Sequence, residues 1–212
     1  LAAAEAQGLR LALLGRTGVL VVALVLLALV WPWPEAWTGA GVVLLLLGLG
    51  CLHLWLIASG RERPWHRYLL AACDLSVLAT LAVTAPLLSS AEIPQHLVFR
   101  VFSANYLFLL VALSALSLSP RYVISVGCLA VATIWVVFYI VTADVTEKVA
   151  WRDLPDGATE EDFLAVLLNP NYVGTSDRFV ESLILLFSAL LLAAAVSRAR
   201  RLVRQRAESE AR

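Results

Sequence analysis

The chain has 212 residues, of which 61% are hydrophobic and 15% are charged, and its 16 basic and 16 acidic side chains cancel. Soluble domains average about 25% charged residues, so this composition excludes an ordinary soluble fold. The mean hydropathy of +0.84, together with apolar blocks of about twenty residues, predicts an all-α polytopic membrane protein, because that length crosses a ~30 Å hydrocarbon core as a helix.

Hydropathy predicts a bundle of six transmembrane helices. The spans are expected at residues 17–31, 38–59, 68–88, 97–118, 122–143 and from 179 onward. Residues 119–121 form a very tight connection, so the fourth and fifth spans are expected to be antiparallel neighbours. Glycines 41, 48 and 50 thin one side of the second span and favour close helix packing there.

These spans divide the chain into three parts. Residues 1–16 are expected to be a cytoplasmic amphipathic lead-in, which either lies on the membrane surface or extends the first span. Residues 17–197 form the six-helix transmembrane domain, with one long outer loop at 144–178. Residues 198–212 are expected to be a cytoplasmic basic signalling helix that leads to an effector.

Basic residues set the predicted orientation. Twelve fall on one side of the predicted bundle: Arg10, Arg16, Arg61, Arg63, Arg67, Arg121, Arg198, Arg200, Arg201, Arg204, Arg206 and Arg212. Only Arg100, Lys148, Arg152 and Arg178 fall on the other. Both termini are therefore predicted to be cytoplasmic, with an acidic loop outside the cell.

The outer loop contains a predicted helix at residues 159–168. Thr159 is a candidate N-cap, and acidic residues occupy the first turn, where the helix dipole favours them. The remaining residues are mostly apolar. The segment is expected to lie on the outer membrane surface or to cover the mouth of the bundle.

Ionisable side chains inside spans are costly and therefore mark candidate sites. His53 and Asp74 lie at similar depths in a predicted hairpin, so a structural Asp74–His53 bond, a bond from Asp74 to the backbone, or a polar ligand pocket are the alternatives. On the outer side, Arg100 and Glu181 match in depth and either pair or reach separately to the interface. With Asn105 they would suit an amphiphile with a polar or anionic head.

Three thiols share the level of His53 and Asp74. Cys51, Cys73 and Cys128 make the set a weak candidate for a metal or redox cluster. Cysteine is also a small apolar residue in Ala-rich helices, and Cys51 and His53 point in opposite directions. No metal site is predicted in preference to this structural interpretation.

Other cofactors and enzymatic classes are argued against by residue counts. Bis-histidine haem ligation needs two well-placed histidines, and only His53 lies inside a span. Retinal needs a buried lysine, and the sole lysine, Lys148, is in the outer loop. Neither a phosphate loop nor a nucleophile elbow appears, and the short Arg-rich tail favours a membrane surface over nucleic acid.

The last helix carries the strongest functional signal. Its apolar run passes without proline or glycine into a basic segment that ends at Arg206, which predicts one continuous helix leaving the membrane. Leu192, Val196, Ala199 and Val203 form an apolar stripe spaced four, three and four, which suits a parallel two-helix contact in a homodimer.

Four motifs carry a family resemblance: residues 63–68 (Arg-Pro-Trp-His-Arg-Tyr), 118–121 (Leu-Ser-Pro-Arg), 169–171 (Asn-Pro-Asn) and 197–204 (Ser-Arg-Ala-Arg-Arg-Leu-Val-Arg). With the six-span layout, they resemble the membrane module of bacterial membrane-bound class III adenylate cyclases. The resemblance implies an inner-membrane location and a cyclase catalytic domain, with its Mg²⁺ or Mn²⁺, after residue 212. This segment holds none of the catalytic residues.

The favoured function is therefore a membrane anchor and receptor domain, which passes a ligand or membrane signal through the last helix to a cyclase that makes cAMP. The alternatives are a small transporter or channel and a purely structural anchor. A transporter needs a polar path at mid-membrane, and the sequence there is almost wholly leucine, valine and alanine. The ligand itself is left open between a lipid, a quinone and an extracytoplasmic peptide.

Overall fold

The computed structural model of the chain describes residues 2–30, 36–84, 105–143, 145–169 and 171–210. These residues form helices and no strand, with one isolated bridge between Val149 and Tyr172. The helices are α1 (Ala2–Val30), α2 (Ala36–Ala58), α3 (Pro64–Thr84), α4 (Asn105–Ala115), α5 (Pro120–Val141), α6 (Glu160–Leu168) and α7 (Thr175–Glu210). A short 3₁₀ turn, Trp151–Asp153, lies in the outer loop.

Five of these helices are long and apolar enough to cross a membrane. The segments are Gln7–Leu29, Gly39–Ala58, Pro64–Thr84, Pro120–Val141 and Thr175–Gln205. Helix α4 is a shorter apolar helix, and residues 97–104 of the predicted fourth span lie outside the described residues. The all-helical prediction is confirmed for the described chain, and its long apolar helices are those of a multi-pass membrane protein.

Proline and glycine residues explain where three of the helices begin. Helices α3 and α5 both start at a proline, which has no N–H to lose at the first helical position. The third span accordingly begins four residues earlier than the predicted residue 68. Before α7, Gly174 has φ +59°, a left-handed conformation that glycine adopts at no steric cost, and the helix starts at the next residue.

The main core lies between α3, α4, α5 and α7. Its fully buried side chains include Leu107, Val111, Val123 and Leu185. Helices α5 and α7 are in close contact at Gly127, where a Cβ atom would collide with the Cβ of Ala189. The glycine therefore sets the spacing of these two helices.

Helix α1 is continuous from Ala2 to Val30, so residues 2–16 of the predicted lead-in take the second predicted alternative and extend the first span. Leu9 and Leu13 are buried against Ile57 of α2. Gly8 lies directly against the carbonyl oxygen of Leu116, where a side chain would collide with the backbone. The lead-in is thus part of the bundle rather than a separate surface segment.

The outward faces of the helices are strongly apolar. Large side chains such as Leu29, Tyr139 and Leu191 are more than 70% exposed. Continuous exposed apolar surface of this kind belongs in lipid rather than in water. On α2, a Cβ atom at Gly41 or Gly48 would meet no described atom within 4 Å, so the described part of the chain shows no close packing at these two glycines.

Candidate functional site: a buried polar pocket

A charged pair joins α1 to α3 inside the bundle. Arg16 donates a hydrogen bond from Nη2 to Oδ1 of Asp74 at 2.6 Å, and their side chains are 11% and 7% exposed. The same Nη2 donates to the carbonyl oxygen of Leu46 on α2 at 2.9 Å. One guanidinium therefore holds three helices together. The predicted bond of Asp74 to His53 or to the backbone is replaced by this bond to Arg16.

The pair lies midway along two candidate spans. Arg16 is the tenth residue of the 23-residue segment Gln7–Leu29, and Asp74 is the eleventh of the 21 residues of α3. Arg16, predicted to be one of the cytoplasmic basic residues, is thus buried and paired within a candidate span, and the interior of the bundle is not wholly apolar.

His53 of α2 faces the same interior. It is 3% exposed, and its Nε2 has no hydrogen-bond partner among the described residues. A buried imidazole nitrogen without a partner loses its hydration and gains nothing in return, so such atoms call for an explanation. The prediction that His53 and Asp74 share one site is consistent with this placement, although no direct bond joins them.

Helices α1 to α5 enclose a pocket around these groups. The cavity has a volume of about 50 Å³. Its polar lining is provided by Arg16, His53, Asp74, Ser114 and Tyr122, and the rest is aliphatic, mainly leucine and alanine. The Ser114 hydroxyl already donates to the carbonyl oxygen of Val111 at 2.6 Å. A few convergent polar groups in an apolar wall are typical of small-molecule sites.

Tyr122 completes the wall of the pocket at the start of α5. It is 9% exposed and makes an edge-to-face contact with Tyr68, with ring centroids 5.5 Å apart. Edge-to-face aromatic pairs of this spacing stabilise packing beyond their buried area. The contact fixes the start of α5 against α3, on the pocket side of the bundle.

The three thiols do not join this site. Cys51 and Cys128 are exposed and Cys73 is partly exposed. Among the residues that the structure describes, no three His, Cys, Asp or Glu side chains are close enough to hold a metal ion. Helical periodicity explains the separation, because residues two apart, such as Cys51 and His53, lie on opposite sides of a helix.

Near the start of α7, Glu181 has a local partner. Its Oε2 lies 2.6 Å from Nη1 of Arg178, one turn earlier on α7. The predicted partner Arg100 lies outside the described residues, and Asn105 is the first residue of α4. Glu181 is not among the residues that line the buried pocket. In the described structure, the ion pair of Arg178 and Glu181 is therefore separate from the pocket around His53 and Asp74.

The outer loop is tied to the start of α7 through an aromatic cluster. The Tyr172 hydroxyl donates to Oδ2 of Asp177 at 2.7 Å, and Trp151 lies 5.2 Å from the Tyr172 ring and 6.0 Å from the Phe163 ring. Phe163 belongs to α6. A change in the position of α6 would therefore reach the first turn of α7.

The predicted cap of α6 is confirmed. The backbone N–H and the hydroxyl of Thr159 both donate to Oδ2 of Asp162, at 2.7 and 2.8 Å. These bonds favour the ionised form and lower the pKa of Asp162 from its ordinary value of 3.8. The helix ends at Leu168, followed by Asn169.

The apolar stripe of α7 faces inward over half of its length. Val196 is buried in the core of the chain and Leu192 packs against that core. Ala199 is partly buried, whereas Val203 is 42% exposed. The structure thus corrects the dimer interpretation of this stripe: Leu192 and Val196 are already covered by their own chain, and Val203 is the exposed member.

Beyond the core, α7 meets the start of α1. Nη2 of Arg200 lies 2.8 Å from Oε1 of Glu5, with side-chain exposures of 42% and 22%. This contact places the first turns of α1 beside the basic end of α7. Residues 198–210 therefore belong to the same helix as the membrane segment, and they contact the bundle as they leave it.

Sequence reasoning missed Arg16 as a site residue, although a signal was present. No helix stop separates residues 2 and 30, and Trp31 is an interfacial type of residue. Counting 15 residues back from Trp31 at ~1.5 Å each gives about 22 Å, which lies within a ~30 Å hydrocarbon core. Helix continuity thus indicated that Arg16 lies within the first span rather than before it. No comparable signal pointed to Tyr122.

Comparisons with protein-family models, with curated proteins and with solved structures give no match. The proposals for the function of the chain therefore rest on the pocket, on the aromatic cluster of Trp151, Phe163 and Tyr172, and on α7.

Proposed function

We propose that the chain is the membrane domain of a signalling protein, in which α7 carries a change in the bundle to a cytoplasmic effector. The observation that carries this proposal is the continuity of α7 over 36 residues. At ~1.5 Å per residue the helix is about 54 Å long, which exceeds the ~30 Å needed to cross the hydrocarbon core. A simple anchor needs no such extension.

Contacts at three levels support a transmitting role for α7. Asp177 in its first turn is bonded to the outer loop through Tyr172. Its middle is packed against α5 at Gly127 and Ala189. Arg200, beyond the core, meets Glu5 of α1. A stiff helix held at these points would pass on a shift or rotation from one end to the other.

The proposed topology has six spans and cytoplasmic termini in a bacterial inner membrane. Without Arg16, which lies within a candidate span, eleven basic residues remain on the predicted cytoplasmic side against four on the other. The bias therefore still favours cytoplasmic termini. Helix α4 is proposed to be the described part of the fourth span.

The effector we propose is an adenylate cyclase that makes cAMP and works as a homodimer. The basis is the resemblance of residues 63–68 and 197–204 to the membrane modules of such enzymes. Since Leu192 and Val196 are covered by their own chain, a dimer contact would use the exposed part of α7 that includes Leu202 and Val203. Coupling between a ligand and such a helix is typically ~1–3 kcal/mol.

An insertion series tests transmission. A class III cyclase catalytic domain is joined after residue 212, and alanines are inserted after Arg201. Each alanine rotates the following helix by about 100°, so two invert its facing and seven restore it. We expect cAMP production to fall with two alanines and to recover with seven. Equal cAMP production across the series would make α7 a passive tether and favour the structural-anchor alternative.

Transport is the second candidate function, and one observation favours it. The Arg16–Asp74 pair is buried within two candidate spans, where ionisable residues often mark ion or proton paths. Proton flux would be measured with a pH-sensitive dye in proteoliposomes. Flux above that of empty liposomes, lost in Asp74→Asn, would establish transport. Flux equal to the empty control would leave signalling as the better account.

A further inference from the structure

We propose that the pocket around His53 binds a neutral molecule whose hydroxyl or carbonyl group hydrogen-bonds to Nε2 of the imidazole. The inference rests on the proposed receptor function, for which it names the ligand class. Its starting point is the pocket-lining His53, which is 3% exposed and has an Nε2 without a partner among the described residues. A neutral imidazole offers one donor and one acceptor nitrogen, so either group can be recognised.

Charge balance in the pocket argues for a neutral ligand. Arg16 and Asp74 lie 2.6 Å apart and cancel each other. A carboxylate or ammonium group entering beside them would add a charge with no counter-ion, in a cavity whose other walls are mostly aliphatic. Burying an uncompensated charge is much more costly than burying a hydrogen-bonded hydroxyl. The pocket therefore discriminates against ionised heads of equal size.

Volume limits the part of the ligand that enters. The cavity measures about 50 Å³, whereas a single water needs roughly 10–15 Å³ on the same kind of measure. The space suits a head of a few non-hydrogen atoms beside His53. Leu110 and Leu113 on α4, and Leu70 on α3, provide apolar walls for the first carbons of an attached chain.

The ligand source is either a short alcohol or ketone, or an amphiphile with such a head. Both share the neutral oxygen that His53 would recognise. Propan-1-ol represents the first source and octan-1-ol the second. Octanoate and octylamine, which are charged at neutral pH, have the same chain length with opposite charges, and octane has no head.

The experiment observes His53 directly in the full chain. Protein carrying ¹⁵N-labelled histidine is purified in detergent micelles, and its imidazole signals are followed by NMR during titration with each compound. His53 is assigned from the spectrum of His53→Asn. His66, whose Nδ1 accepts a hydrogen bond from the backbone N–H of Arg63, is the internal control.

We expect octan-1-ol to shift the His53 signal saturably, with at least tenfold weaker effects from octanoate and octylamine and none from octane. If propan-1-ol also shifts the His53 signal saturably, a short alcohol without a long chain is sufficient for binding. The His66 signal should not move. Equal shifts from the charged compounds, or no saturable shift from either alcohol, would overturn the proposal.

Two cavity-filling variants separate binding from a general effect of alcohol on micelles. Leu110→Trp and Ala71→Leu each fill the space beside His53, and circular dichroism checks that they fold. We expect the saturable shift to disappear in whichever variant folds. A shift identical to that of the original chain would contradict the site. No effector is present in this experiment, so its failure is distinct from a failure of the alanine insertion series.

Discussion

Arg16 stabilises the bundle only as long as its charge is matched. Its Nη2 bonds with Asp74 and with the Leu46 carbonyl replace part of the hydration that burial removes. Removing one member of such a pair leaves the other charge uncompensated, which costs ~3–5 kcal/mol in measured cases. Replacing both with apolar residues leaves no buried charge, so the desolvation cost disappears. The pair therefore stabilises the contacts among α1, α2 and α3 only while both charges are present.

This gives a non-additive prediction for Arg16→Leu and Asp74→Leu. Each single change should lower the free energy of unfolding by ~3–5 kcal/mol, and the double variant should recover most of the loss. Unfolding in SDS followed by circular dichroism measures it. Arg204→Leu, which breaks an exposed i,i+4 pair with Glu208, is the control and should cost about 0.3–0.5 kcal/mol. Additive single-variant losses would contradict a mutually compensating pair.

Gly127 is a second residue on which packing depends, because its missing Cβ admits Ala189. Gly127→Ala is expected to lower the free energy of unfolding by about 1–3 kcal/mol through overpacking. Gly48→Ala should instead raise it by about 0.5–1 kcal/mol, since that exposed helical glycine has no described neighbour within 4 Å. The swap Gly127→Ala with Ala189→Gly should restore stability. Equal effects at residues 48 and 127 would refute the contact.

At the scale of elements, helix bounds were predictable where their signals are local. The predicted spans 38–59 and 122–143 correspond to Ala36–Ala58 and Pro120–Val141, and Thr159 correctly marked the start of α6. Hydropathy could not reveal contacts between distant parts of the chain. Asp74 is bonded to a residue 58 positions earlier, and periodicity alone cannot say whether the stripe through Val196 faces α5 or a second copy.

The cap of α6 makes this outer element sensitive to acid. Because folding lowers the pKa of Asp162 below 3.8, the cap contributes stability that is fully present above about pH 4 and is lost as the pH falls through the folded pKa. The protection factors of the Asp162 and Phe163 amides, which compare each exchange rate with that of an unstructured peptide at the same pH, should therefore fall on acidification. Thr159→Ala should show low protection factors already at neutral pH. Unchanged protection in that variant would show that the cap does not hold α6.

At the scale of the whole molecule, two contacts fix which segments share an end of the bundle. The pair of Glu5 and Arg200 places the start of α1 beside the basic part of α7. At the opposite end of the α7 membrane segment, Tyr172 bonds Asp177 and thereby joins the outer loop to the first turn. The chain ends and the loop should therefore lie on opposite sides of the membrane, and the basic residues favour the cytoplasm for the ends.

Cysteine labelling tests this sidedness in a background with Cys51, Cys73 and Cys128 changed to serine. Asp156→Cys in the outer loop and Gln205→Cys on α7 introduce thiols at exposed positions. A membrane-impermeant maleimide added to intact cells should label residue 156 and spare residue 205, and permeabilisation should make both reactive. Labelling of residue 205 alone would show that the orientation is the opposite of the predicted one. Labelling of both in intact cells would mean that α7 does not cross the membrane, which would remove the basis for transmission through it.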